Sequence, residues 1–118
     1  MKAIINGLRY DTETATLIGS ASNPNTPKVP TQWSPSRHWE ESLYRTEGGR
    51  YFLVGLGGTN TKWDGTGVFR GDDGAICRRN VIGEGIEALT REAAQAWAER
   101  WLRQDVYEAA FKDVIADA

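Results

Sequence analysis

The spacing of the apolar residues changes once along this chain of 118 residues, close to residue 89. Before that point, short runs of strand-forming residues are separated by glycines and by Asn-Gly or Asp-Gly pairs, which is typical of antiparallel hairpins. After it, apolar residues recur at intervals of three and four, which is the period of an amphipathic helix. Strands followed by helices indicate an α+β fold, with an antiparallel sheet of about four to six short strands covered by two C-terminal helices.

Three segments of the first part predict hairpins. In "KAIINGLRYD" the pair Asn6-Gly7 is the preferred two-residue turn, between strands at about 2–6 and 8–11. The runs "SLYR" and "RYFLV" are joined by the turn "EGG" at 47–49, and a meander over 64–80 turns at "GDDG". One further strand is expected at about 14–21, after the first hairpin.

Two amphipathic helices are predicted in residues 90–117 as a helical hairpin. Thr90 is expected to cap the first helix and Asp105 the second. The apolar stripe of the first helix consists of Ala94, Trp97, Ala98, Trp101 and Leu102. That of the second consists of Val106, Tyr107, Ala110, Phe111, Val114 and Ile115.

All four prolines of the chain lie in residues 22–38. Proline is excluded from helix interiors and central strands, so this segment is predicted to be a long loop. Loops of this length inside compact domains tend to be functional or mobile. The length of the chain predicts a single domain over residues 1–118.

Composition excludes several kinds of site. The single cysteine, Cys77, excludes an internal disulfide and a cysteine-rich zinc site, and the single histidine, His38, has no second histidine or cysteine near it. We therefore predict no metal, no cofactor and no catalytic residue. The net charge of −2 argues against a broad electrostatic contact with nucleic acid.

The segment "GLGGTNTK" (55–62) has the glycine content of a phosphate-binding loop. Its spacing matches neither GxxxxGK[ST] nor GxGxxG, and no helix start follows it. The segment is better interpreted as a strand that ends in a glycine bend. An enzyme built on this chain would have to use His38, Glu41 or Cys77, and we regard that as the least favoured class.

The N-terminal segment contains no apolar run of the length found in signal peptides, and no stretch approaches a membrane span. We therefore expect a cytoplasmic protein without a membrane partner. An exposed edge strand would allow a homodimer as well as a monomer.

Aromatic and arginine side chains, which are enriched at interface hot spots, predict a partner-binding surface. The candidates are Trp33, Arg37, Trp39, Arg45, Arg50 and Trp63. The alternative is that the three tryptophans attach the proline-rich loop to the sheet and complete a small core. A second candidate surface is an acidic face of the second helix that mimics nucleic acid, formed by Asp105, Glu108, Asp113 and Asp117. Nucleic acid itself would be contacted by Arg78 and Arg79.

Three segments carry a family resemblance: "INGLRYDTETATLI" (5–18), "ESLYRTEGGRYFLVGLGGTNTKW" (41–63) and "GIEALTREAAQAWAERWL" (85–102). Together they resemble a family of small accessory proteins of phages and integrative elements, with the pattern ING, YDTxTA, LYRTxxGxYFLxGxGG and EAxxWAE. The resemblance covers most of the chain and includes no catalytic motif.

This resemblance implies a non-enzymatic protein that inhibits a host defence complex in the cytoplasm of a bacterial host. The most specific form of that role is that of an anti-CRISPR protein, and the implied partner is then a subunit of a CRISPR effector. The alternative is a small nucleic-acid-binding regulatory protein of a phage or integrative element.

Overall fold

The chain folds into strands that are followed by two helices. A computed structural model describes residues 1–22, 38–58, 62–63 and 83–118, together with the backbone of 67–70 and 76–79. The elements in chain order are β1 (Lys2–Ile5), β2 (Leu8–Asp11), β3 (Thr16–Ser22), β4 (Trp39–Arg45), β5 (Tyr51–Gly57), β6 (Gly67–Arg70), β7 (Ile76–Arg79), β8 (Gly83–Leu89), α1 (Arg91–Trp101) and α2 (Gln104–Phe111). Apart from its first and last residues, the predicted proline-rich loop lies outside the described residues, as does the predicted "GDDG" turn.

The main sheet is antiparallel and has four strands in the order β3-β4-β5-β8. The pairs β1–β2 and β6–β7 form two further antiparallel sheets of two strands each. The helices α1 and α2 cover the main sheet, so the predicted α+β class is confirmed. Strand β8 was not among the predicted strands.

The chain divides into two compact units. The helix unit consists of Met1–Ala21, Glu41–Val54 and Ile86–Ala118, and it contains both helices. The hairpin unit consists of Ser22–Glu40 and Gly55–Gly85, and it contains the β6–β7 pair. The expectation of a single domain over 1–118 stays a prediction.

The N-terminal hairpin has the turn that its sequence predicts. Asn6 and Gly7 both have positive φ, 52° and 77°, which is the requirement of a type I′ turn. Asparagine tolerates this conformation because its short polar side chain can hydrogen-bond locally. Ile5 pairs with Leu8 directly across the turn, so the two-residue connection is confirmed.

The hairpin of β4 and β5 also turns where expected. The Thr46 carbonyl accepts a hydrogen bond from the Gly49 N–H at 2.9 Å, and the Thr46 N–H donates to the Arg50 carbonyl at 2.8 Å. Gly49 has a φ of 83°, a conformation that glycine adopts without steric cost. The predicted turn at 47–49 is therefore confirmed.

The core of the helix unit is built on both faces of β5. Phe52 is fully buried and stacks on Tyr44 at 5.2 Å between ring centroids, with Tyr10 of β2 edge-on at 5.5 Å. The adjacent Tyr51 points to the opposite face, as successive strand residues do, and stacks on Phe111 of α2 at 5.4 Å. Strand β5 is thus covered by the N-terminal hairpin on one face and by α2 on the other.

Helix α1 begins as predicted. The Thr90 hydroxyl accepts a hydrogen bond from the Ala93 N–H at 3.1 Å and caps the helix. Of its predicted apolar stripe, Ala94 and Ala98 are fully buried. The small side chains of these two alanines allow α1 to lie close to its neighbours.

The predicted cap and end of α2 were wrong. Arg103 occupies the N-cap position, and Asp105 lies in the first turn, where its Oδ2 is 3.1 Å from the Arg103 guanidinium. The helix ends at Phe111, whose carbonyl accepts two hydrogen bonds, from the N–H groups of residues 114 and 115. Shared acceptors of this kind are common at helix termini, and here they close the last turn. Val114 and Ile115 therefore lie beyond the helix.

Replacing the cap of α1 should destabilise the protein. Thr90→Ala removes the oxygen that accepts from Ala93 and is expected to lower the free energy of unfolding by about 1 kcal/mol. Thr90→Ser keeps that oxygen and is the matched control, with a loss well below that of alanine. Urea unfolding followed by far-UV circular dichroism measures both. Equal losses for the two variants would contradict the capping role.

Candidate functional site

A groove in the helix unit lies between β3 and α2. Its volume is about 580 Å³, within the range of small ligand-binding sites. It is lined by Thr16, Leu17, Ile18, Arg45, Asp105, Val106, Ala109 and Ala110. The lining is apolar apart from one hydroxyl, one guanidinium and one carboxylate.

The groove follows the edge of β3. Leu17 shares a face of the strand with Gly19, and a Cβ on Gly19 would lie 2.5 Å from the side chain of Leu102, which follows α1. This face is therefore the one turned towards the helices, and residues 16 and 18 point away from it. Because these three successive residues all line the groove, it runs along the backbone edge of the strand. In the order of the described sheet, β3 is a terminal strand.

One wall of the groove leaves apolar surface uncovered. The Leu17 side chain is 53% exposed although it faces the helices. The opposite wall is formed by α2. It projects little into the groove and is called the low wall below, because Ala109 and Ala110 have small side chains. Covering such apolar surface is favourable by roughly 25 cal/mol per Å², so the groove is suited to an apolar group.

The two charged side chains of the groove differ in their partners. Asp105 is paired with Arg103 at 3.1 Å, which offsets its charge locally. The guanidinium of Arg45 lies over the ring of Tyr51, 5.9 Å from its centroid. In the part of the chain that the structure describes, Arg45 forms no ion pair with a carboxylate. The N–H groups of its planar guanidinium can therefore donate hydrogen bonds to a carboxylate of a ligand.

Of the predicted partner-binding residues, Arg45 is the one that lines this groove. Arg50 is exposed and follows the β4–β5 turn, and it does not line the groove. Trp33 and Arg37 lie outside the described residues. The groove therefore takes up one member of the predicted set.

Trp39 and Trp63 belong to the hairpin unit, and both are half-buried. The indole of Trp63 occupies the space where a Cβ on Gly55 would lie, and it is 3.6 Å from the corresponding position of Gly85. The Lys62 ammonium lies 5.3 Å from the centroid of the Trp63 ring. The glycine at position 55 therefore makes room for an indole, and the segment 51–57 is strand β5.

The four predicted acidic residues do not form one face of a helix. Asp105 and Glu108 are exposed on α2, whereas Asp113 and Asp117 lie beyond its end at Phe111. The expectation that all four lie on the second helix is therefore corrected for Asp113 and Asp117, and the mimicry of nucleic acid stays a prediction. The reason for the correction is the early end of α2, which the apolar stripe alone did not indicate.

The basic pair Arg78 and Arg79 lies on β7, where the backbone pairs them with Val68 and Gly67. Cys77 is their neighbour on the same strand, opposite Phe69. The structure assigns these residues to an antiparallel pair in the hairpin unit, as the predicted meander requires.

The remaining candidates for chemistry have structural contacts. Glu41 accepts a hydrogen bond from the Trp97 indole N–H at 2.7 Å, which joins β4 to α1. In the hairpin unit, the His38 imidazole Nε2 lies 3.3 Å from the Glu40 carboxylate. Within the described ranges, no group of three or more potential metal ligands comes together.

Neither a protein-family model, nor a curated protein, nor a solved structure matches this chain. None of the helices in the described ranges has the length and hydrophobicity needed to cross a bilayer.

Sequence reasoning did not predict the groove residues Leu17, Ala109 and Ala110. The available signal was a leucine at a strand position directly after the first hairpin. A second signal was Ala110 of the apolar stripe with the adjacent Ala109, since two neighbouring small residues leave space beside a helix. Neither signal identifies a groove until the strand order places β3 at the end of the sheet.

The contact of Trp63 with Gly55 predicts unequal effects of two glycine substitutions. Gly55→Ala forces the indole to move and is expected to lower the free energy of unfolding by about 1–3 kcal/mol. Gly85→Ala adds a methyl group at ordinary contact distance from the same ring and should change stability by no more than about 1 kcal/mol. Tryptophan fluorescence during urea unfolding measures both. A larger loss for the Gly85 variant would exclude this packing.

Proposed function

We propose that this protein is a non-enzymatic interaction protein of a mobile element that inhibits a host defence complex in the bacterial cytoplasm. A subunit of a CRISPR effector is the first partner to test. The observation that supports a binding role is the β3–α2 groove, with its uncovered Leu17 and its Arg45 without a carboxylate partner among the described residues. The family resemblance of the sequence supports the biological role.

The chemistry of the groove favours a protein partner over nucleic acid. The groove contributes one cation and one anion, and the whole chain carries a net charge of −2. Binding to the phosphate backbone depends on several cations acting together. Apolar side chains beside a strand edge are instead typical of sites that take a peptide segment.

The proposed mechanism is occupation of a surface of the effector. A stable protein interface buries about 800 Å² on each partner, so the groove serves as the anchor of a larger contact. Inhibition by occupation consumes one inhibitor for each effector. An enzyme that modified the effector would instead inactivate it well below equal concentrations.

The experiment is a titration of this protein into purified CRISPR effector complexes with guide RNA, with DNA cleavage as the readout. We expect inhibition that is complete near equal concentrations for the effector that is the target. Arg45→Glu and Leu17→Thr should each raise the required concentration at least about tenfold, which corresponds to roughly 1.4 kcal/mol. Circular dichroism establishes that the variants are folded.

The matched controls are Arg9→Glu and Ile4→Thr, which make the same kinds of change on the exposed face of the N-terminal hairpin. They should inhibit like the unaltered protein. Absence of binding to every effector would contradict the proposal. If salt-sensitive DNA binding is found instead and is weakened by Arg78→Ala with Arg79→Ala, the alternative of a nucleic-acid-binding regulator replaces it.

A further inference from the structure

We infer that the β3–α2 groove binds an extended segment of the partner, which pairs with the edge of β3 and places one carboxylate on Arg45. This inference names the occupant of the surface and in that sense rests on the proposed function. It concerns the chemistry of the bound segment, which can be measured without the defence complex.

The edge of β3 favours one conformation of the bound segment. A groove lined by residues 16, 17 and 18 follows the strand backbone. Among the strands that the structure describes, β3 is the terminal one of its sheet, and a terminal strand presents N–H and C=O groups at its edge. An added strand satisfies these groups with main-chain hydrogen bonds, which supply affinity with little dependence on sequence. A helix lying in the same groove would leave them without main-chain partners. The geometry therefore favours an extended segment.

The exposed Leu17 favours an apolar side chain in the bound segment. Alternate residues of an added strand point towards the helices, as Leu17 does. There they meet Leu17 on one side and the low wall of Ala109 on the other. A medium-sized or β-branched apolar residue would cover the exposed part of Leu17.

The charged residues of the groove favour one carboxylate in the bound segment. Arg45 lies on the strand next to β3 and also lines the groove, so its long side chain can reach a carboxylate that is bound there. A carboxylate two positions from the apolar residue shares its face, about 7 Å along the strand. Arginine and a carboxylate form two parallel hydrogen bonds, which makes this contact specific. Asp105 on the α2 wall disfavours a second carboxylate there, so one register is preferred.

The recognised pattern is therefore an apolar residue and an acidic residue two positions apart in an extended segment. The experiment is selection from a phage-displayed library of random 12-residue peptides on the immobilised full-length protein. A parallel selection uses the Arg45→Glu variant, and a third uses Arg9→Glu as the matched control. We expect the pattern to be enriched on the unaltered protein and on Arg9→Glu, and basic residues to replace the acidic one on Arg45→Glu.

The strongest peptide is then synthesised with a fluorescent label, and its Kd is measured by anisotropy. Methylation of backbone nitrogens, one position at a time, should weaken binding at alternate positions by about fivefold, because each lost main-chain hydrogen bond contributes about 1 kcal/mol. Methylation at the intervening positions should have little effect. Replacing the acidic residue by its amide should weaken binding to the unaltered protein and not to Arg45→Glu.

Three results would overturn the inference: no enriched peptide, enrichment with helical spacing of the apolar residues, or enrichment that is the same on Arg45→Glu. Its failure can be separated from that of the proposed function. Peptides with the expected pattern but no inhibition of any effector would contradict the defence role and leave the groove assignment in place. Inhibition of an effector that does not depend on Arg45 would contradict the groove assignment and leave the defence role in place.

Discussion

The helix unit depends on a single strand that is buried on both of its faces. Tyr51 and Phe52 are neighbours on β5, and each stacks with a ring from a different element. Phe111 attaches α2 to one face, and Tyr10 attaches the N-terminal hairpin to the other. The Tyr51–Phe111 stack fixes the distance between α2 and the sheet, and the same Tyr51 ring lies beneath the guanidinium of Arg45. The groove and its cation are thus positioned by one aromatic contact.

The features that the sequence predicted are those determined within a few residues. The Asn6-Gly7 turn needs two positive φ angles, and the Thr90 cap needs an oxygen near the first N–H groups of a helix. Both requirements are met by neighbouring residues alone. The predictions failed where distant parts of the chain decide, as in β8, whose glycines weaken strand propensity but which pairs with β5. The end of α2 is a further case, since its apolar stripe continues past Phe111.

The candidate site was predictable in its residue types and not in its arrangement. Arg45 was identified because arginine and aromatic residues occur together in the sequence, and the structure places it over an aromatic ring in a groove. Trp63 was identified by the same argument, yet its indole fills the space above Gly55. The difference arises from the absence of a side chain at position 55, which becomes informative only when the strand is folded. Trp33 and Arg37 stay predictions.

In this part of the molecule, different residues determine the shape of the groove and the attachment of α2 to the sheet. Ala109 is exposed on α2, whereas the contact that attaches this helix to the sheet is made by Phe111. A larger side chain at position 109 would reshape the recess without entering the core. The ligand that the groove recognises could therefore diverge through single substitutions while the fold remained intact.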